Sequence, residues 1–202
     1  MAMLDGVSQC WWLSDTCAVN WDAWAAIGTV AAVFAAVFAP VVQRWLVRKN
    51  ANALFALAYR SDLLSSQIRL ENVRNEFPFD GDDVAWAVEW MLENEGAARQ
   101  RLLYLSQGLD LLTKREIDMT KWPAVDLNLA AKVAMAMEST RHFQMGAELF
   151  AEPPPDRNWV EMTASVAGTL SSALRDVNNA TDAVMSAARR IRRKGTFKWL
   201  RS

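Results

Sequence analysis

The chain has 202 residues, a net charge of -1, one histidine and two cysteines. Setting aside about 50 residues for an apolar N-terminal region leaves roughly 150, enough for one further domain with its own core. A structural zinc site is not expected, because neither cysteine has a third or fourth ligand near it in the sequence.

Near neutrality conceals a segregation of charge. Residues 1–43 carry three acidic and no basic groups, and residues 44–49 carry three basic and no acidic ones. Residues 50–188 hold 12 basic and 20 acidic groups, whereas residues 189–202 hold seven basic and none acidic. An acidic body bracketed by two basic clusters suits a domain beneath an anionic inner leaflet, where each basic side chain near the surface contributes about 1 kcal/mol of attraction.

Residues 1–20 form a short segment expected outside the cytoplasm. It holds Cys10 and Cys17, which an oxidising compartment permits to pair. A bridge would enclose Trp11 and Trp12 and present them to the outer interface; free thiols are the alternative.

Residues 21–46 read as a transmembrane helix. Within them WAAIGTVAAVFAAVFAPVV, residues 24–42, is free of charge for nineteen positions, and about 20 apolar residues cross a hydrocarbon core. Asp5, Asp15 and Asp22 precede it, while Arg44, Arg48 and Lys49 follow, so the positive-inside rule places the N-terminus outside and the C-terminus in the cytoplasm. Trp21, Trp24 and Trp45 bracket it at the depth where indoles prefer to sit. A soluble protein could bury such a helix at its centre instead. A signal peptide is not expected, since its positive charge comes before the apolar region, not after.

Within the span Gly28, Ala32 and Ala36 recur every four residues, a small-residue stripe that lets helices approach closely and associate. Ala31, Ala35 and Ala39 repeat the spacing alongside, with Phe34 and Phe38 toward lipid. Pro40 removes a backbone donor and is expected to kink or end the helix.

Residues 50–194 show helical periodicity without strand-like alternation. A first helix over about 51–77 is predicted to bury Leu54, Leu57, Leu64, Ile68 and Phe77. FPFDGDD ends it, and Asp82 or Asp83 starts a second, carrying Trp86, Trp90 and Leu102 to about residue 106. Residues 108–119 read as a short helix with its exit, and Pro123 suits the first turn of the next. There Leu129, Val133, Ala136, Thr140, Phe143, Ala147 and Phe150 alternate steps of four and three, a heptad seam. EPPPD interrupts it. The last helix, about 157–194, carries the longest seam: Val160, Thr163, Ala167, Leu170, Leu174, Val177, Thr181, Val184, Ala188 and Ile191. Small seam residues favour packing within one chain over a coiled coil between chains. The expected fold is therefore all-α: one N-terminal transmembrane helix followed by an antiparallel helical bundle of four to five helices.

Residues 195–202 form a basic, aromatic tail. With the preceding turns they offer Arg189, Arg190, Arg192, Arg193, Lys194, Lys198 and Trp199 to lipid headgroups, rings buried and charges paired with phosphate. A plain solvated, disordered end is the next reading of this segment; nucleic acid attracts the same charges but is not the expected partner.

No constellation for catalysis follows. Phosphate-binding glycine loops and nucleophile elbows are missing from the sequence. His142 has Glu138 four residues before it and Glu148 beyond, too few ligands for a metal, and reads as a solvated or bundle-capping side chain. Asp80, Asp82 and Asp83 are explained by helix initiation; Glu89, Glu93 and Glu95 by a solvated helix face. Trp86 and Trp90, at i and i+4, share one face. Core packing is their ordinary use, but exposed they would anchor a protein partner. No cofactor is expected.

The stretch NWDAWAAIGTVAAVFAAVF resembles the N-terminal anchor of small single-span bacterial inner-membrane proteins of the prophage and defence-island type, over about 20 residues and by composition. The resemblance implies a role near phage exclusion or envelope stress and carries over no site residue. The expected function is a non-enzymatic, single-pass membrane protein, a homo-oligomer whose cytoplasmic helical domain binds a protein partner or senses a state at the anionic leaflet. The alternative is an oligomeric membrane-perturbing effector, against which the lack of polar pore-lining residues argues. An enzyme with a dispersed carboxylate site is the third reading.

Overall fold

The computed structural model describes residues 21–79, 82–153 and 158–195. Among them the fold is all-helical, with no strand: α1 (Trp21–Glu76), α2 (Asp82–Asn94), α3 (Gly96–Gln107), α4 (Asp110–Thr113), α5 (Leu127–Ala151) and α6 (Trp159–Gly195). The chain divides into two compact units, residues 1–47 and 48–202.

In the first unit the described residues belong to α1, which is long and apolar enough to cross a membrane. Its most apolar window has a mean hydropathy of 2.3, and none of that window is buried. Pro40 lies inside α1 and does not end it. The one hydroxyl on this stretch is internally satisfied, Thr29 donating to the Ala25 carbonyl at 2.8 Å, as a polar group in an apolar setting requires.

The second unit is organised around the α5–α6 hairpin. Asp126 caps α5, its carboxylate accepting from the Asn128 amide at 2.9 Å. The seam from Leu129 to Phe150 is buried at every predicted position. On α6, Thr163, Leu170, Leu174, Val177, Thr181 and Val184 are buried and Ala167 and Ala188 half-buried, so this seam packs within the chain. Val160 is exposed, because its neighbour Trp159 takes the inward position in the first turn, its ring 6.0 Å from that of Phe150. Gly146 marks a close approach: a Cβ there would stand 3.1 Å from Val166 Cγ2. The late turns of α5 thus meet the early turns of α6, an antiparallel pairing that lets both seams interlock.

Three expectations are corrected. On α1, Leu54, Leu57 and Ile68 are exposed and Leu64 half-buried; Phe55, Tyr59, Leu63, Leu70 and Val73 face the core, joined by the expected Phe77. Phe55 meets Trp122 edge-on at 5.5 Å and Tyr59 at 4.7 Å, and this ring cluster, with more area to bury than the leucines, sets the rotation of the helix. The predicted second helix is two. Glu95 is extended, with φ -110° and ψ 104°, and the Arg99 guanidinium donates to the carbonyls of Leu92 at 3.0 Å and Glu93 at 2.9 Å, closing α2 before α3 begins.

The helix expected over 108–119 is only the single turn α4, and Pro123 lies ahead of α5 and not in its first turn. Asp118 keeps the segment just before Pro123 out of a helix: its carboxylate accepts from the Thr120 amide at 3.0 Å and hydroxyl at 2.5 Å, a side-chain turn that competes with helical hydrogen bonding. These contacts hold the Asp118 carboxyl below the usual carboxylate range, the Thr120 hydroxyl being the largest cause.

Candidate interaction surfaces

The first surface is on α2. Val88 and Leu92 turn inward, and Trp86 and Trp90 turn out, 66% and 55% exposed. The indoles therefore do not serve the core. Glu93 beside them is also exposed, and Glu89 is half-buried. Two neighbouring indoles on a regular helix present rigid apolar area of the kind that dominates partner binding when it is desolvated.

The second surface is the end at which the chain enters the second unit, at Arg48. One turn on, Asn52 Oδ1 accepts from the Asp126 amide at 2.7 Å, tying α1 to the start of α5. Asn52, Asp126, Asn128 and Lys132 line a shallow cleft with Ala183, Ser186 and Ala187 of α6. The entry of α1, the first turn of α5 and the last turns of α6 thus meet at one end. Arg48 and Arg189 are exposed there, and Leu127, in the first turn of α5, is 75% exposed.

Sequence reasoning missed what fixes the 114–126 loop to α1. Arg115 donates to the Ala58 carbonyl at 2.7 Å, pairs with Asp62 and lies over the Tyr59 ring, 4.9 Å from its centroid. The Tyr59 hydroxyl donates to the Glu116 carbonyl at 3.2 Å. Burial raises the Tyr59 phenol above its ordinary value, the Arg115 charge opposing it. No local signal marks these groups, which are more than 50 residues apart. Arg115→Ala removes one charged hydrogen bond and a half-exposed ion pair, so it is expected to cost about 1–3 kcal/mol. A smaller shift in the urea midpoint than that of Lys121→Ala, which loses only an exposed pair with Asp118, would show that the latch contributes nothing.

A second tie is Gln144 of α5, buried, whose Nε2 donates to the Ser106 carbonyl at 2.8 Å and to Asp110 Oδ1 at 3.0 Å. Lys114 and then Gln144 hold the Asp110 carboxyl below the usual range. These two bonds join α5 to α3 and α4.

Of the residues singled out from sequence, Gly28, Ala32 and Ala36 are all exposed along α1, and a Cβ at Gly28 would meet nothing within 4 Å. His142 is exposed with Nε2 3.2 Å from Glu138, and no group of three potential metal ligands assembles among the described residues. Arg189 is exposed on α6. Cys10, Cys17, Lys198 and Trp199, and the side chains of Arg190, Arg192, Arg193 and Lys194, lie outside the described residues. Comparison with family models, curated proteins and solved structures finds no match to this chain.

Proposed function

We propose that this protein is a non-enzymatic, single-pass inner-membrane protein whose cytoplasmic helical domain binds a protein partner or senses a state of the envelope, in the setting of phage exclusion or envelope stress. One observation carries the reading: the most apolar part of α1 is wholly unburied, while the second unit closes its core from Ala53 onward without it. About 20 apolar residues left outside a core are stable in lipid and costly in water. Acidic groups before the span and basic groups after it favour the N-terminus outside.

The entry end of the second unit supports anionic lipid as the first partner, since Arg48 and Arg189 are exposed there and six more basic residues follow Arg189 in the sequence. The Trp86–Trp90 face supports a protein as the second. The Gly28, Ala32 and Ala36 stripe supports association of copies in the bilayer.

The test is extraction and protease accessibility of the chain with a C-terminal tag in bacterial spheroplasts. Detergent but not carbonate is expected to release it, and the tag is expected to survive external protease. Release by carbonate would sink the anchor, and digestion of the tag would reverse the orientation.

A further inference from the structure

Leu54, Leu57, Ser61, Leu64 and Ile68 follow one another along α1 at steps of three, four, three and four. None of them is in the core: Leu54, Leu57 and Ile68 are 57%, 50% and 59% exposed, Ser61 is exposed and Leu64 half-buried. The same helix already commits its other face, through Phe55, Tyr59, Leu63, Leu70 and Val73, to the interior. Single exposed leucines are ordinary. Four aliphatic side chains at heptad spacing on one unpartnered face form a seam, the pattern that another helix of the same spacing fills by knobs into holes.

We infer that this seam is the contact surface for α1 of a second copy of the chain, packed in parallel. A heptad stripe is self-complementary under a two-fold axis along the helices, so each copy supplies the holes for the other's knobs. Every seam position is uncharged, whereas Arg60, Asp62, Arg69 and Glu71 lie off it, so two identical stripes meet without like charges opposed. Ser61, between Leu54 and Leu57 on one side and Leu64 and Ile68 on the other, favours one register, because any slipped alignment sets a hydroxyl against an aliphatic side chain. Two heptads are short for a coiled coil in free solution. The inference rests on the proposal that the preceding residues span a membrane: co-anchoring holds copies parallel and supplies the effective concentration that the short seam lacks.

The test uses the full chain in isolated bacterial membranes, with Cys10→Ser and Cys17→Ser as background. Single cysteines are introduced as Leu57→Cys and Leu64→Cys on the seam, and as Leu111→Cys and Met145→Cys at exposed positions of α4 and α5. After mild oxidation, the seam cysteines are expected to give a disulfide-linked dimer about tenfold more abundant than the controls. Adding Leu57→Glu to the Leu64→Cys chain is expected to lower that yield to the control level with unchanged circular dichroism, since position 57 is outside the core. Equal yields at all four positions, no dimer at the seam, or an adduct whose mass is not twice that of the chain would each overturn the inference. Carbonate resistance of the same membranes separates the two failures. Anchored chains without seam dimers leave the membrane reading standing, whereas carbonate release removes the co-anchoring and overturns both.

Discussion

Phe143→Ala is expected to lower the stability of the second unit by about 3–5 kcal/mol, the range for removing a fully buried aromatic ring. Phe143 is 0% exposed and is the fifth of the seven positions of the α5 seam. Its removal forfeits the transfer of the ring from water and leaves a cavity lined by side chains already fixed from both sides, so collapse recovers little. Against a typical total of about 5–15 kcal/mol, this approaches unfolding at growth temperature. Urea unfolding followed by circular dichroism in detergent measures it, with Trp90→Ala as comparison. Trp90 is larger but exposed, so its removal is expected to stay within about 0.5 kcal/mol. Equal midpoints for the two variants would show that the α5–α6 contact does not hold the bundle.

The α5 and α6 seams were legible in sequence because a single heptad register runs along the buried face of each helix, a face that Ala130 and Met137 on α5 and Val166, Ala173 and Ala180 on α6 only widen. On α1 two registers coexist: 54, 57, 64 and 68, and 55, 59, 63 and 70. Periodicity is satisfied by both. The choice is made by Trp122, far along the chain, whose ring packs against Phe55, and no local pattern contains that information. The break at Glu95 was obscured because helical spacing runs on through Leu102, and the capping group, Arg99, comes after the break and not before it. The loop before α5 was misread for a similar reason. Pro123 fits a first helical turn, but the competing hydrogen bonds of Asp118 and Thr120 and the pull of Arg115 toward Asp62 act earlier in the chain. For the candidate surfaces, spacing alone put Trp86 and Trp90 on one face. It could not choose between core and solvent, because Val88 and Leu92 on the same helix supply an equally regular apolar face.

Val33→Arg is expected to move the chain out of the membrane fraction while leaving the second unit folded. Residues 24–42 owe their apolarity to eight isoleucine, valine and phenylalanine residues, with alanine at seven further positions. Each of the eight favours insertion by about 0.3–0.6 kcal/mol, and alanine adds little. An arginine at the centre of a span costs about 2.5–3.5 kcal/mol, which is comparable with the whole favourable sum, so a segment with this small a surplus tips. Val47→Arg is the comparison: within the basic cluster its guanidinium reaches the headgroups, and the chain is expected to stay resistant to carbonate. Because none of the apolar window is buried, neither substitution removes a core contact, and circular dichroism of the released Val33→Arg chain should keep the helical signal and urea midpoint of the second unit. If instead the variant remains carbonate-resistant, the segment is not held by lipid alone. If it unfolds the bundle, the segment packs against protein, and the span reading fails together with the parallel seam that depends on it.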